Sequence, residues 1–142
     1  MKVIIGSDVK GFKLKEHLIK FLNSKDYKVV DVSPDPNLNF VESAKLVSEE
    51  VLKEEDNFGI VIDEYGAGSF MVANKIKGII CAEVSDEHSA HMTKEHNNTK
   101  IISLGSGIIG KTLAENIVMN FLNNEYSGGR HQIRIDMLNR LA

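Results

Sequence analysis

The sequence predicts an α/β domain: a five-stranded parallel sheet, doubly wound, with helices on both faces in three layers. Three observations predict it. Five short runs rich in Val and Ile recur along the chain, and segments with helical spacing alternate with them. The run at 58–62 is continuously apolar rather than alternating, as a strand buried on both faces must be. Turns rich in Gly, Ser and Asp follow the first, third and fifth runs, at the carboxyl ends of the strands, where an open parallel sheet takes its ligands.

Each element has its own reason. Lys2 to Ser7 is a short β-branched strand, and residues 10–23 carry Phe12, Leu14, Leu18, Phe21 and Leu22 at helical spacing. Tyr27 to Val32 is the second strand, closed by Ser33-Pro34-Asp35-Pro36-Asn37, which holds the only prolines of the chain. Residues 40–55 place Val41, Ala44, Val47 and Val51 among acidic partners, the pattern of an amphipathic helix. Asn57-Phe58-Gly59 opens the third strand, which runs into Asp63-Glu64-Tyr65-Gly66-Ala67-Gly68 and a helix start. Two glycines there let the backbone approach a ligand, and a helix N-terminus offers N–H groups to an anion.

Gly78 to Ala82 is the fourth strand, and Ser85-Asp86-Glu87-His88 starts a helix that runs to about Glu95. Lys100 to Leu104 is the fifth strand, and residues 111–123 form a helix with Leu113, Ile117, Val118 and Phe121 on one stripe. Gly128-Gly129 breaks the chain before a last helix, Arg130 to Leu141, able to fold back or to reach a neighbouring subunit. The chain has no repeat and no linker, so residues 1–142 read as a single domain. A strand order 2-1-3-4-5 would set Asp8 and the Asp63–Gly68 turn face to face at the switch point between strands one and three.

Composition narrows the function. The formal charge of −3 argues against general nucleic-acid or anionic-membrane binding. The N-terminus turns polar too soon for a signal peptide, and no apolar run reaches the ~18 residues of a membrane helix. A single cysteine, Cys81, fits a reducing compartment, and the expected location is the cytoplasm. All three arginines, Arg130, Arg134 and Arg140, fall in the last 13 residues. Arginine presents a planar fork suited to phosphate or carboxylate, so this segment is either a recognition element or a solvated helix face.

Few residues are candidates for chemistry. His96-Asn97, just after a helix, offers a side chain that exchanges protons near neutrality beside a hydrogen-bond donor. The same pair also suits an ordinary helix C-terminus. His88 and His91 lie three apart on one helix, but no third ligand has matching spacing, and a surface face is the simpler reading. Cys81 reads as a small buried residue. Asp63 and Glu64 could act as an acid–base pair, but neighbours on an extended stretch point to opposite sides. No metal or redox cofactor is indicated.

Laid out in this way, the chain resembles, from end to end, the ribose-5-phosphate isomerase B / galactose-6-phosphate isomerase family. The family's Gly-Ser-Asp-His-x-Gly turn is matched by Gly6-Ser7-Asp8-Val9-Lys10-Gly11, and its Cys-Gly-Thr-Gly-x-Gly turn by Asp63-Glu64-Tyr65-Gly66-Ala67-Gly68. Ala73-Asn74-Lys75, Glu95-His96-Asn97 and Gly128-Gly129-Arg130-His131-Gln132-Ile133-Arg134 complete the match.

The resemblance implies a Rossmann-like fold and aldose–ketose isomerisation of a phosphorylated sugar at a site shared between two subunits. It implies that His96 opens the sugar ring, Asn97 assists, and Arg130 and Arg134 bind the phosphate. His131 either assists the phosphate or packs. The other half-site is degraded: Val9, Asp63 and Tyr65 stand where the family has His, Cys and Thr. Asp8 is retained in that half without an assigned role. A homologous, Cys-bearing subunit, in a heterodimer or heterotetramer, would complete the site and convert galactose 6-phosphate to tagatose 6-phosphate. The alternative is a subunit that binds sugar phosphates without catalysis.

Overall fold

A computed structural model describes residues 1–141. The elements run β1 (Lys2–Ser7), α1 (Phe12–Ser24), β2 (Lys28–Asp31), α2 (Phe40–Val51), β3 (Phe58–Asp63), α3 (Ala67–Asn74), β4 (Cys81–Glu83), α4 (Glu87–Asn97), β5 (Ile101–Gly105) and α5 (Lys111–Leu122). A 3₁₀ turn (Gly129–His131) then leads into α6 (Gln132–Arg140).

The five strands form one parallel sheet in the order β2-β1-β3-β5-β4. This corrects the expected 2-1-3-4-5 order by exchanging the last two strands. The cause lies in burial. Every residue of β5 is buried, as a strand with neighbours on both sides must be. The three-residue β4 ends on the exposed Glu83 and takes the edge. There the Asn74 side chain stands in for a further strand: Cys81 N–H donates to Asn74 Oδ1 at 2.9 Å, and Asn74 Nδ2 donates to Cys81 O at 2.9 Å. The free edge of β4 is thereby blunted.

The exchange decides where α4 lies. Crossovers between parallel strands are right-handed, so connections that step in one direction along the sheet share one face. The chain steps one way from β1 to β2 and from β4 back to β5, and α1 and α4 accordingly share a face with α5. Their core is built on Leu14, Leu18, Leu22, Ala90, Ile117 and Phe121 over Val3, Ile5, Ile60, Ile62, Ile102 and Leu104. The opposite face carries α2 and α3, with Ala44, Val47, Val51 and Ala73 over Ile4, Val61 and Ile101. Burying each large apolar side chain contributes roughly 1.5–3 kcal/mol, so both faces hold the sheet firmly.

Two helix ends differ from expectation. α2 stops at Val51 rather than 55, because its buried stripe ends there and Leu52 is exposed. α4 continues through Asn97, so His96 and Asn97 belong to its last turn, and Asn98 takes the left-handed cap at φ 51°.

Candidate active site

The candidate residues fall into two groups at opposite edges of the sheet. Parallel strands put all their carboxyl ends on one edge, and the returning helices end at the other. β1 and β3 deliver Asp8, Val9, Asp63 and Tyr65 to the carboxyl edge. α4 and α5 return to the amino edge, where His96, Asn97 and the Arg130–Arg134 segment lie. The five residues of β5 alone span roughly 16 Å at about 3.3 Å per residue.

At the carboxyl edge the switch-point geometry is as expected: Asp8 N–H donates to Ile62 O at 3.2 Å, tying the first turn to the end of β3. Asp63 is buried, and its carboxylate accepts the Gly66 N–H at 2.5 Å and the Ser69 N–H at 3.1 Å. It therefore fills the amide cradle at the start of α3, where an external anion would otherwise bind. Gly66 sits at φ +80°, and a Cβ there would press on Glu83 and Gly105, which explains the glycine.

Burial raises the Asp8 carboxyl above its ordinary value; the Gly11 N–H it accepts opposes this, and the negative charges of Asp63 and Glu64 add to it. A hydrogen bond and the charge of Glu64 likewise push the Tyr65 phenol up. Val9 and Tyr65 are largely exposed.

At the amino edge, local geometry gathers the residues. Ser127 N–H and Oγ both donate to Glu95 O, at 3.0 and 3.1 Å, pinning the segment after α5 to the last turns of α4. Gly128 and Gly129 then adopt φ +64° and +59°, a double left-handed reversal that side chains resist. The reversal brings His131 against His96 of α4 and Arg134 into the same cavity. Tyr126 Oη donates to Gln132 Oε1 at 2.9 Å and steadies the start of α6.

The result is a cavity of about 400 Å³ lined by His96, Asn97, His131, Arg134, Ile135 and Leu138, among others. Ile135 is its buried floor, whereas Arg130 and Arg134 are exposed and available to an anion. His96 and His131 stack, with ring centroids 4.5 Å apart and planes 15° from parallel. Thr93 Oγ1 donates to Asn97 Oδ1 at 3.2 Å, so the amide's donor end is left for a ligand. A proton-exchanging ring, an amide donor and a guanidinium around one concave space suit a polar, anionic substrate.

The remaining candidates lie elsewhere. His91 pairs with Glu95 at 2.8 Å, and His88 is exposed. Among the described residues, no three His, Cys, Asp or Glu side chains are grouped to hold a metal. Cys81 is buried, and desolvation and Glu83 push its thiol far above the ordinary value, so it is inert.

Sequence reasoning missed Lys94. Its ammonium is buried over the Phe58 ring (3.5 Å to the centroid) and the Phe121 ring (4.5 Å), and it donates to Phe121 O at 3.1 Å. This ties α4 to the end of α5 just beneath the His96 turn. The charged pattern of α4 concealed it, because a lysine normally reads as surface.

Comparison with known proteins places the chain in a family. A family model described as Ribose/Galactose Isomerase matches residues 3–138. The chain belongs to this family. Among curated relatives, galactose-6-phosphate isomerase subunit LacA of Staphylococcus epidermidis is 56% identical over 100% of both chains. The LacA subunit of Clostridium acetobutylicum is 54% identical over 99% of both chains.

Among solved structures, ribose-5-phosphate isomerase B of Clostridium thermocellum superposes with a TM-score of 0.94 at 35% identity, covering 99% of this chain and 96% of that one. The Mycoplasma genitalium enzyme with bound ribulose-5-phosphate gives 0.92 at 36% identity, covering 98% and 94%. The family's α/β sheet is thus the fold of this chain, and galactose-6-phosphate isomerase subunits are among its full-length relatives.

Proposed function

We propose that this chain is one subunit of an aldose–ketose isomerase that interconverts galactose 6-phosphate and tagatose 6-phosphate, and that it lends half of a shared active site. The observation that carries the reading is the placement of its two candidate groups at opposite sheet edges. No single copy can close both around one sugar, so a site must combine the amino edge of this chain with the carboxyl edge of a neighbour. The neighbour is a homologous subunit bearing a cysteine base, because in this chain Asp63 is engaged by the turn it caps.

In this reading Arg130 and Arg134 hold the phosphate as charge-assisted ligands and fix the sugar's far end. His96 moves the proton between the anomeric hydroxyl and the ring oxygen, opening the ring. The partner's base then carries a proton from C2 to C1 through an enediol, whose developing charge Asn97 stabilises by hydrogen bonding. The reaction needs no net oxidant, since a carbon-bound proton leaves one carbon and returns to the next.

The test is turnover of galactose 6-phosphate by this chain alone and then mixed with a Cys-bearing homologous subunit. Silence alone and turnover when mixed supports the half-site reading. Turnover by this chain alone would make Asp63 a working base and overturn it. A mixture that binds sugar phosphate without turnover would instead identify a non-catalytic binding subunit.

A further inference from the structure

The stacked imidazoles at the amino edge join α4 to the 3₁₀ turn across 35 positions of sequence, from His96 to His131. A charge on either ring disfavours a charge on the other, 4.5 Å away. The charges around it are unequal. Arg130 and Arg134 bear on His131 from the 3₁₀ turn and α6, and Glu95, itself tied to His91, bears on it from α4. Burial against its surroundings, then the positive charges of His96, Arg130 and Arg134, hold His131 below the ordinary histidine value, with Glu95 opposing.

We propose that His131 is a positioning residue: its ring stacks on His96 and fixes the plane of that imidazole in the cavity, so that the His96 nitrogens keep one orientation toward the substrate. The inference rests on the assignment of ring opening to His96. An acid–base ring that must both take and return a proton gains from a fixed orientation, because a misaligned nitrogen loses most of its advantage. A second imidazole suits this position because it offers a flat face, yet stays uncharged beside two phosphate-binding guanidiniums.

Two variants separate this role from a phosphate contact. His131→Phe keeps a flat ring without a titrating nitrogen, and His131→Ala removes the ring. Proton NMR of the full chain, without substrate or partner, reads the ring-current shift and the pH titration of the His96 ring protons. Turnover in the mixed complex reads kcat and KM.

The expected result is that His131→Ala abolishes the ring-current shift and lowers kcat at least tenfold with KM within twofold. His131→Phe should restore both the shift and a kcat within about threefold of the unmodified chain. An unchanged His96 resonance in His131→Ala would overturn the stack. A raised KM with unchanged kcat would make His131 a phosphate ligand instead, and equal loss of kcat in both variants would assign the effect to its nitrogens rather than its face. Absence of turnover in the unmodified mixture would defeat the isomerase reading and the catalytic role of His131 with it, while the NMR result would still report on the stack by itself.

Discussion

The carboxylate of Asp63 closes on the backbone N–H of Gly66, 2.5 Å away, and its second oxygen takes the N–H of Ser69. The turn after β3 thus contains its own anion. Asp63→Ala should leave these two buried donors unsatisfied and destabilise the chain by about 2–6 kcal/mol, at roughly 1–3 kcal/mol for each lost partner. Chemical denaturation measures the loss; a change below about 0.5 kcal/mol would show that the carboxylate does not hold the turn.

Arg134 and His96 line the same cavity and should fail differently. If Arg134 holds the phosphate as proposed, Arg134→Ala should forfeit charge-assisted bonds worth about 1.5–3 kcal/mol each and raise KM of the mixed complex roughly 10- to 150-fold. Arg134→Lys should recover only part of this, because an ammonium lacks the two-pronged geometry. His96→Ala should leave KM close to its original value and lower kcat by about 10²–10⁴, the usual worth of a general acid–base group. Steady-state kinetics on galactose 6-phosphate distinguishes the two; equal effects on KM and kcat from both would dissolve the division of labour.

Asn74 caps the exposed side of β4 through both Cys81 backbone groups. Asn74→Ala should cost about 2–6 kcal/mol at roughly 1–3 kcal/mol per abandoned polar group, and should open the sheet edge to pairing with other chains. Light scattering on partial heating should detect earlier aggregation than in the unmodified chain. Unaltered aggregation with unaltered stability would mean that the edge is protected by other means.

Lys94 gives a pH dependence with a definite sign. Burial, and the like charge of Lys100, lower its pKa from 10.5 to about 8, with Glu125 opposing. Between about 8 and 10.5 the unfolded chain holds a proton there that the folded chain has released. Stability from this group therefore rises with pH across that window and is flat on either side of it. Lys94→Met should remove the rise, as seen by denaturation midpoints at pH 7, 9 and 10; the same slope in the variant would assign it to another group.

Much of the fold was legible because its signals are local. β1, β3 and β5 are short apolar strands, and Gly66 and Gly128-Gly129 mark turns whose positive φ only glycine adopts readily. The order of β4 and β5 was not legible, since it depends on which strand finds neighbours on both sides. Nothing in Cys81–Glu83 taken alone announces that Asn74 will serve as its outer neighbour.

The site divides in the same way. His96, Asn97, Arg130 and Arg134 could be singled out by residue type and motif, but the His96–His131 stack rests on Ser127 finding Glu95 across 32 positions. Lys94 was hidden because burial of an ammonium between aromatic rings is a property of packing, invisible in the spacing of α4.

The opposite-edge placement of Asp63 and His96 also gives the molecule a direction, like a link with a hook at one end and an eye at the other. Were neighbours to join head to tail, each new copy would present the same unsatisfied end, and growth would continue until a ring closed or, where the rotation does not close, into an open filament. A two-fold axis between two chains ends that growth at once, because each hook then meets the other's eye. If the second chain differs, the closed pair contains two unlike junctions, and the sealing of the molecule becomes separate from the number of places where sugar is converted.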